Sequence, residues 1–119
     1  MTKSEFRLLL EQALEEAARN TSKRLGYEVP RQFIILLHGA GHSGDPMDTE
    51  TAVDQLYLSE DRFYLIIDVA IIEVHSHHSI VFVRASSHDP GPFAQTWNNP
   101  LGNGPFKQLI ANEIKIVKD

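Results

Sequence analysis

The segment from Phe63 to Val74 constrains what this chain can fold into more than any other. Its odd positions, Phe63, Leu65, Ile67, Val69, Ile71 and Glu73, and its even positions, Tyr64, Ile66, Asp68, Ala70, Ile72 and Val74, are both mainly apolar. Successive side chains of a strand point to opposite faces, so a β-rich run that is apolar on both needs cover on both. This predicts a long strand at the centre of a sheet. A polar break, His75 to His78, separates it from a second β-rich run, Ser79 to Ala85, and so short a break predicts an antiparallel hairpin.

One layer of cover is visible upstream. Phe6, Leu9, Leu10, Ala13, Leu14 and Ala17 recur at three- and four-residue spacing, which predicts a helix over Thr2 to Leu25 with an apolar stripe for the sheet. Thr2 followed by Glu5 fits a capping box. Arg19, Lys23 and Arg24 suit the negative end of the macrodipole, Gly26 suits the C′ position, and Pro30 blocks continuation.

Between helix and central strand, Gln32 to Leu37 reads as a buried strand, and His38 to Asp48, with three Gly, Pro46 and two His, as a loop. Thr49 to Leu58 fits a short helix with Asp48 as N-cap, although alternation fits it nearly as well. Ser86 to Phe106 is a long stretch rich in Pro and Gly that holds the only Trp; Phe93, Trp97, Leu101 and Phe106 argue that it packs down as structure rather than trailing as a linker. Lys107 to Val117 is expected to begin as a helical turn with Pro105 at N1 and to end as a strand through Ile114 and Ile116.

A chain of 119 residues, 42% hydrophobic and 23% charged, suits a single domain over residues 1–119 with one core, and needs neither disulfide nor metal to fold. Cys is absent, which excludes thiolate metal sites and cysteine nucleophiles and fits a reducing compartment. No apolar run reaches the roughly 18 residues of a membrane span, and the polar start to Arg7 has no signal-peptide h-region. A cytoplasmic protein is expected. The net charge of −5 and the dispersed basic residues argue against nucleic acid as a partner.

Several patterns carry the look of chemistry. Ile34 to Asp45, IILLHGAGHSGD, resembles the strand-then-His-Gly-x-Gly segment of α/β-hydrolases, where backbone amides form an oxyanion hole; Gly41-His42-Ser43-Gly44-Asp45 is similar to the same family's G-x-S-x-G elbow, with Asp45 in place of the last Gly. The resemblance covers a dozen residues. In that family the two motifs sit on different strand-to-helix turns of a large parallel sheet, whereas here they overlap, so it does not extend to the fold. Gly39 to Gly44 also spells G-x-G-x-x-G, but Asp45, Asp48 and Glu50 would repel a pyrophosphate at the following helix, and Asp68 lies in mid-strand. A turn-forming loop accounts for these glycines better.

His75 and His77, two apart, would share a face on a strand as metal-binding pairs do, but no third ligand is identified and solvated turn histidines are the commoner case. No metal site and no cofactor is assigned. Asp68, alone among apolar residues, should have a partner, and Arg84 is the natural one; an odd-length hairpin loop would put the two on one face about one residue from direct opposition. The pair either fixes register or forms a polar spot in a binding surface. Trp97 is either a lid over the core or a recognition element.

These readings add up to an α+β domain: an N-terminal helix packed on a mainly antiparallel sheet of three or four strands, in two layers, with the long Pro/Gly loop before the C-terminus. The leading functional expectation is a small acidic protein-binding module, a regulator, adaptor or immunity-type inhibitor without a complete catalytic set. Its candidate binding residues are His42, Asp68, Arg84 and Trp97, and its partner is another protein or a second copy. The alternative is a small metal- or loop-dependent hydrolase using His38, His42 and Ser43, or His75 and His77.

Overall fold

In the computed structural model, residues 1–60, 62–86, 107–108 and 113–118 are described. Helix α1 runs Lys3–Leu25 between the expected caps. The Thr2 hydroxyl accepts from the Glu5 amide while the Glu5 carboxylate accepts from the Thr2 amide, and Gly26 closes the other end at φ 83° with its N–H on the Ser22 carbonyl. The apolar stripe is buried as its spacing requires, through Phe6, Leu10, Ala13, Leu14, Ala17 and Ala18.

Strand β1 is Phe33–Gly39 and turns at Ala40 and Gly41 into β2, His42–Met47. The expected loop over His38 to Asp48 is therefore a hairpin. Ala40 and Gly41 have φ of 53° and 86°, the positive pair that a tight two-residue hairpin turn demands. Ala40 masks that signal in the sequence, where Asn-Gly would have announced it. Helix α2, Thr49–Leu56, follows, with the Asp48 carboxylate accepting from the Thr51 amide at 2.8 Å. It resolves the ambiguity at 49–58: the helix stops at Leu56 and the chain continues as β3, Tyr57–Ser59, paired with the short β4, Arg62–Phe63.

The central strand β5 spans Ile66–Val74 and forms the expected hairpin with β6, Ser79–Ala85, closed by the His75 amide donating to the His78 carbonyl at 2.9 Å. Beyond it, β7 (Lys107–Gln108) and β8 (Lys115–Ile116) each pair parallel with β5. Extended pairing at Lys107–Gln108 replaces the helical turn expected there, while the strand through Ile116 is present. Phe93, Trp97, Leu101, Pro105 and Phe106 lie outside the described residues.

The sheet order is β2-β1-β6-β5-β7, with β8 also on β5. The helix-on-sheet α+β arrangement is as expected; the sheet is larger and mixed, not mainly antiparallel. The difference comes from β1, which is paired in parallel with β6 despite lying far from it in sequence. Nothing local reveals such a pairing except that Ile34 to Leu37, apolar on both faces, suits a strand with neighbours on both sides. Helices α1 and α2 share one face, where Ile35, Leu37, Val69, Ile71, Val81 and Val83 join Phe6, Leu10, Leu14, Val53 and Leu56 in the core. No helix among the described residues is long and apolar enough to cross a membrane.

Candidate binding face

The side chains that alternate with the core residues lie on the face of the sheet away from the helices. The pairing registers arrange them in rows across the strands. One row is Pro46, Leu36, Phe82 and Ala70; the next is Ser43, His38, Arg84 and Asp68. Ile34 and Ile80 extend the apolar part as register partners. Ile34, Leu36, Ile80 and Phe82 are only partly buried, and none belongs to the helix-side core or packs against it. The outer face is thus an apolar floor with one polar row along its edge.

Local irregularities in the strand pairing build these rows. A bulge between Ile71 and Glu73 makes Ile72 an extra residue and shifts the β5–β6 register so that Asp68 stands directly opposite Arg84. Without it, Asp68 would face Ala85. The pair closes at 2.5 Å between Arg84 Nη2 and Asp68 Oδ2, with the Asp68 side chain 10% exposed and that of Arg84 53%. The two-residue turn at Ala40 and Gly41 puts Ser43 opposite His38, and a bulge at Gly44, with φ 94°, then brings Pro46 opposite Leu36. The His38 ring then lies between Gly44, where a Cβ would stand 3.0 Å from Cε1, and the Phe82 ring at a centroid distance of 4.6 Å. Its ring nitrogens have no hydrogen bond with another described residue.

His42 is elsewhere. As the register partner of Gly39 it points to the helix side, where Nδ1 meets Asp45 Oδ2 at 2.6 Å and Nε2 meets Gln55 Oε1 at 3.1 Å. Both ring nitrogens are engaged, so the imidazole clamps the β1–β2 hairpin to α2 and has no nitrogen free for a substrate proton or a metal. Ser43, the next residue, faces the other way and is exposed. Of the hydrolase expectation's residues, Ser43 and His38 are cross-strand register partners, while His42 lies on the opposite face, so the three do not converge.

At the β5–β6 turn, His75 Nε2 contacts Glu73 Oε1 at 2.7 Å, and the His75 and His78 rings stack at 4.3 Å. The expected pair, His75 and His77, does not share a strand face, because β5 ends at Val74 and His77 lies exposed in the bend that follows. Among the described residues no three His, Cys, Asp or Glu side chains are placed to hold a metal.

Of the residues singled out in the sequence, Asp68 and Arg84 meet, His42 is separated from them by the thickness of the sheet, and Trp97 lies outside the described residues. Sequence reading missed Phe82, Leu36, Ile34 and Ile80 as a surface. Their signal was present in the two apolar faces of Ile34 to Leu37, but which face the helices would leave open depends on the parallel β1–β6 register. Comparison with known proteins adds nothing to the geometry: no family model, no curated protein and no solved structure matches the chain.

Proposed function

We propose that this chain is a small acidic protein-binding module, a regulator, adaptor or immunity-type inhibitor, and that it binds through the outer face of its sheet. The observation that carries the reading is the partly exposed row Leu36 and Phe82, flanked by Ile34 and Ile80, beside the Arg84–Asp68 pair. Contact surfaces combine an apolar centre with a polar rim, and aromatic and Arg side chains supply much of their binding energy. His42, with both ring nitrogens occupied and on the other face, does not join the Ser43–His38 pair that the hydrolase alternative would use. A net charge of −5 favours protein over nucleic acid as the partner, and the absence of Cys agrees with a cytoplasmic setting.

The test is quantitative capture with three purified baits: the natural chain, Phe82→Asp, and Leu8→Asp as a control on α1, where Leu8 is 54% exposed. The expected result is a partner, or a second copy of the chain, whose recovery falls at least about tenfold with Phe82→Asp and is unchanged with Leu8→Asp. Equal recovery on all three baits overturns the reading.

A further inference from the structure

The chemistry of the polar row specifies what a partner must present there. We propose that the outer face takes a segment carrying a carboxylate beside an apolar side chain, the carboxylate between Arg84 and His38 and the apolar group across Phe82 and Leu36. This rests on the protein-binding role argued above and narrows it to one class of partner.

A guanidinium has five N–H donors in a fixed fork. Asp68 engages Nη2 of Arg84 while half of the Arg84 side chain faces solvent, so among the described residues the fork is anchored at one point only. Anchoring lowers the entropy lost when a second acceptor binds, and the fork matches a carboxylate bidentately. Next along the row, His38 is partly exposed, packs between Gly44 and a Phe82 ring tilted at 44° to its own, and has ring nitrogens with no partner among the described residues. The exposed Ser43 hydroxyl is its register partner. The row therefore offers donors from three successive strands; the Ser43 hydroxyl and a neutral His38 ring can also accept, but the row's one carboxylate, Asp68, is already paired with Arg84.

That donor excess is local in a chain with sixteen acidic and eleven basic residues. The exposed N–H donors left on Arg84 favour an anionic acceptor, and the Asp68 carboxylate at 2.5 Å from Arg84 favours one carrying a single charge, because a dianion would meet stronger repulsion from Asp68. The adjoining Leu36 and Phe82 favour an anion attached to an apolar group, as an Asp, Glu or chain-terminal carboxylate is when its neighbour is aliphatic or aromatic.

Hydrocinnamate, its neutral amide and phenyl phosphate are the probes, titrated into the isotope-labelled full chain and followed by NMR. The proposal expects hydrocinnamate to shift His38, Phe82 and the Arg84 side chain with millimolar affinity. It expects the amide to bind at least about tenfold more weakly, and Arg84→Gln and His38→Ala to weaken hydrocinnamate to a similar degree. Ser43→Ala, at an exposed site, provides a variant whose folding is not in question; it should weaken hydrocinnamate and leave the amide unchanged. Equal shifts from acid and amide, shifts confined to another surface, or tighter binding of phenyl phosphate each overturn the carboxylate assignment. Those results leave the binding role of the face intact if Phe82→Asp still abolishes capture, so the two failures are distinguishable.

Discussion

Asp68 and Arg84 stand directly opposite each other across β5 and β6, and they do so because Ile72 is squeezed out of the ladder as a bulge. The pair is asymmetric: the carboxylate is nearly buried and the guanidinium is half in water. Removing the cation therefore strands a desolvated charge, while removing the anion frees a solvated one. Arg84→Met should cost about 1–2 kcal/mol, below the full cost of breaking a buried pair because Arg84 is half solvated. Asp68→Asn should cost less, and the double variant should recover part of the loss. Urea unfolding of the four proteins measures the coupling; a coupling within the error of additivity would mean that the pair contributes nothing to stability.

Gly39 ends β1 at φ 84°, and a Cβ there would stand 2.0 Å from the Ala85 carbonyl oxygen of the neighbouring β6. Gly41, two residues on, has nearly the same φ of 86° but open space around it. The two glycines separate strain from clash. Gly41→Ala should cost about 1 kcal/mol for the left-handed backbone alone. Gly39→Ala adds a collision with backbone that cannot rotate away, so it should cost several times as much and loosen the β1–β6 pairing. Thermal melts rank the two variants, and equal costs would show that β1 and β6 move apart freely.

The His42 clamp ties the hairpin to α2 through Asp45 and Gln55. His42→Ala removes both contacts at a partly exposed site, which should cost about 1 kcal/mol and raise hydrogen exchange in β2 and the last turn of α2 before anywhere else. Asp45→Ala breaks only one of the contacts and should have a smaller effect confined to the hairpin. Uniform acceleration of exchange across the whole sheet would contradict the local role assigned to His42.

What the sequence disclosed and what it hid follow from the range of the interactions involved. Helix α1, its caps, the Asp48 cap and the β5–β6 hairpin rest on neighbours within a few residues, and all were readable. The Asp68–Arg84 partnership was readable too, because a lone carboxylate among apolar residues demands a counter-ion, but its geometry was not: the turn His75 to His78 is even in length, not odd, and the Ile72 bulge puts the two in direct opposition. Strand β2 was hidden, since Gly44, Asp45 and Pro46 are poor strand formers and are held extended only by pairing with β1. The outer face was hidden because it is defined by the parallel β1–β6 register, which no local pattern encodes. The bulge at Ile72 sets which β5 residue joins the row, and a one-residue slip there would take Asp68 out of it.

Acid should weaken the fold through three depressed carboxylates. Glu15 is held below the usual carboxylate range by its hydrogen bonds to Arg31, at 3.0 and 3.2 Å, against a smaller opposing effect of burial. Glu5 is lowered by the Thr2 amide and hydroxyl, and Asp48 by its cap interactions with Thr51. In each case the unfolded chain binds a proton more readily than the folded one. The stabilisation is therefore complete above the unfolded carboxylate values near pH 4 and is lost as pH falls through the lower folded values. Arg31, raised by Glu15 and Glu28, stays protonated across this range and adds no slope of its own. Glu15→Gln should cost about 0.5 kcal/mol near neutral pH, the scale of a solvent-exposed ion pair. Its curve of stability against pH should then converge on that of the natural chain in acid, where Glu15 is protonated in both states. Urea midpoints measured from neutral pH down to strong acid test this; curves that run parallel all the way down would show that the Glu15–Arg31 pair is not what titrates.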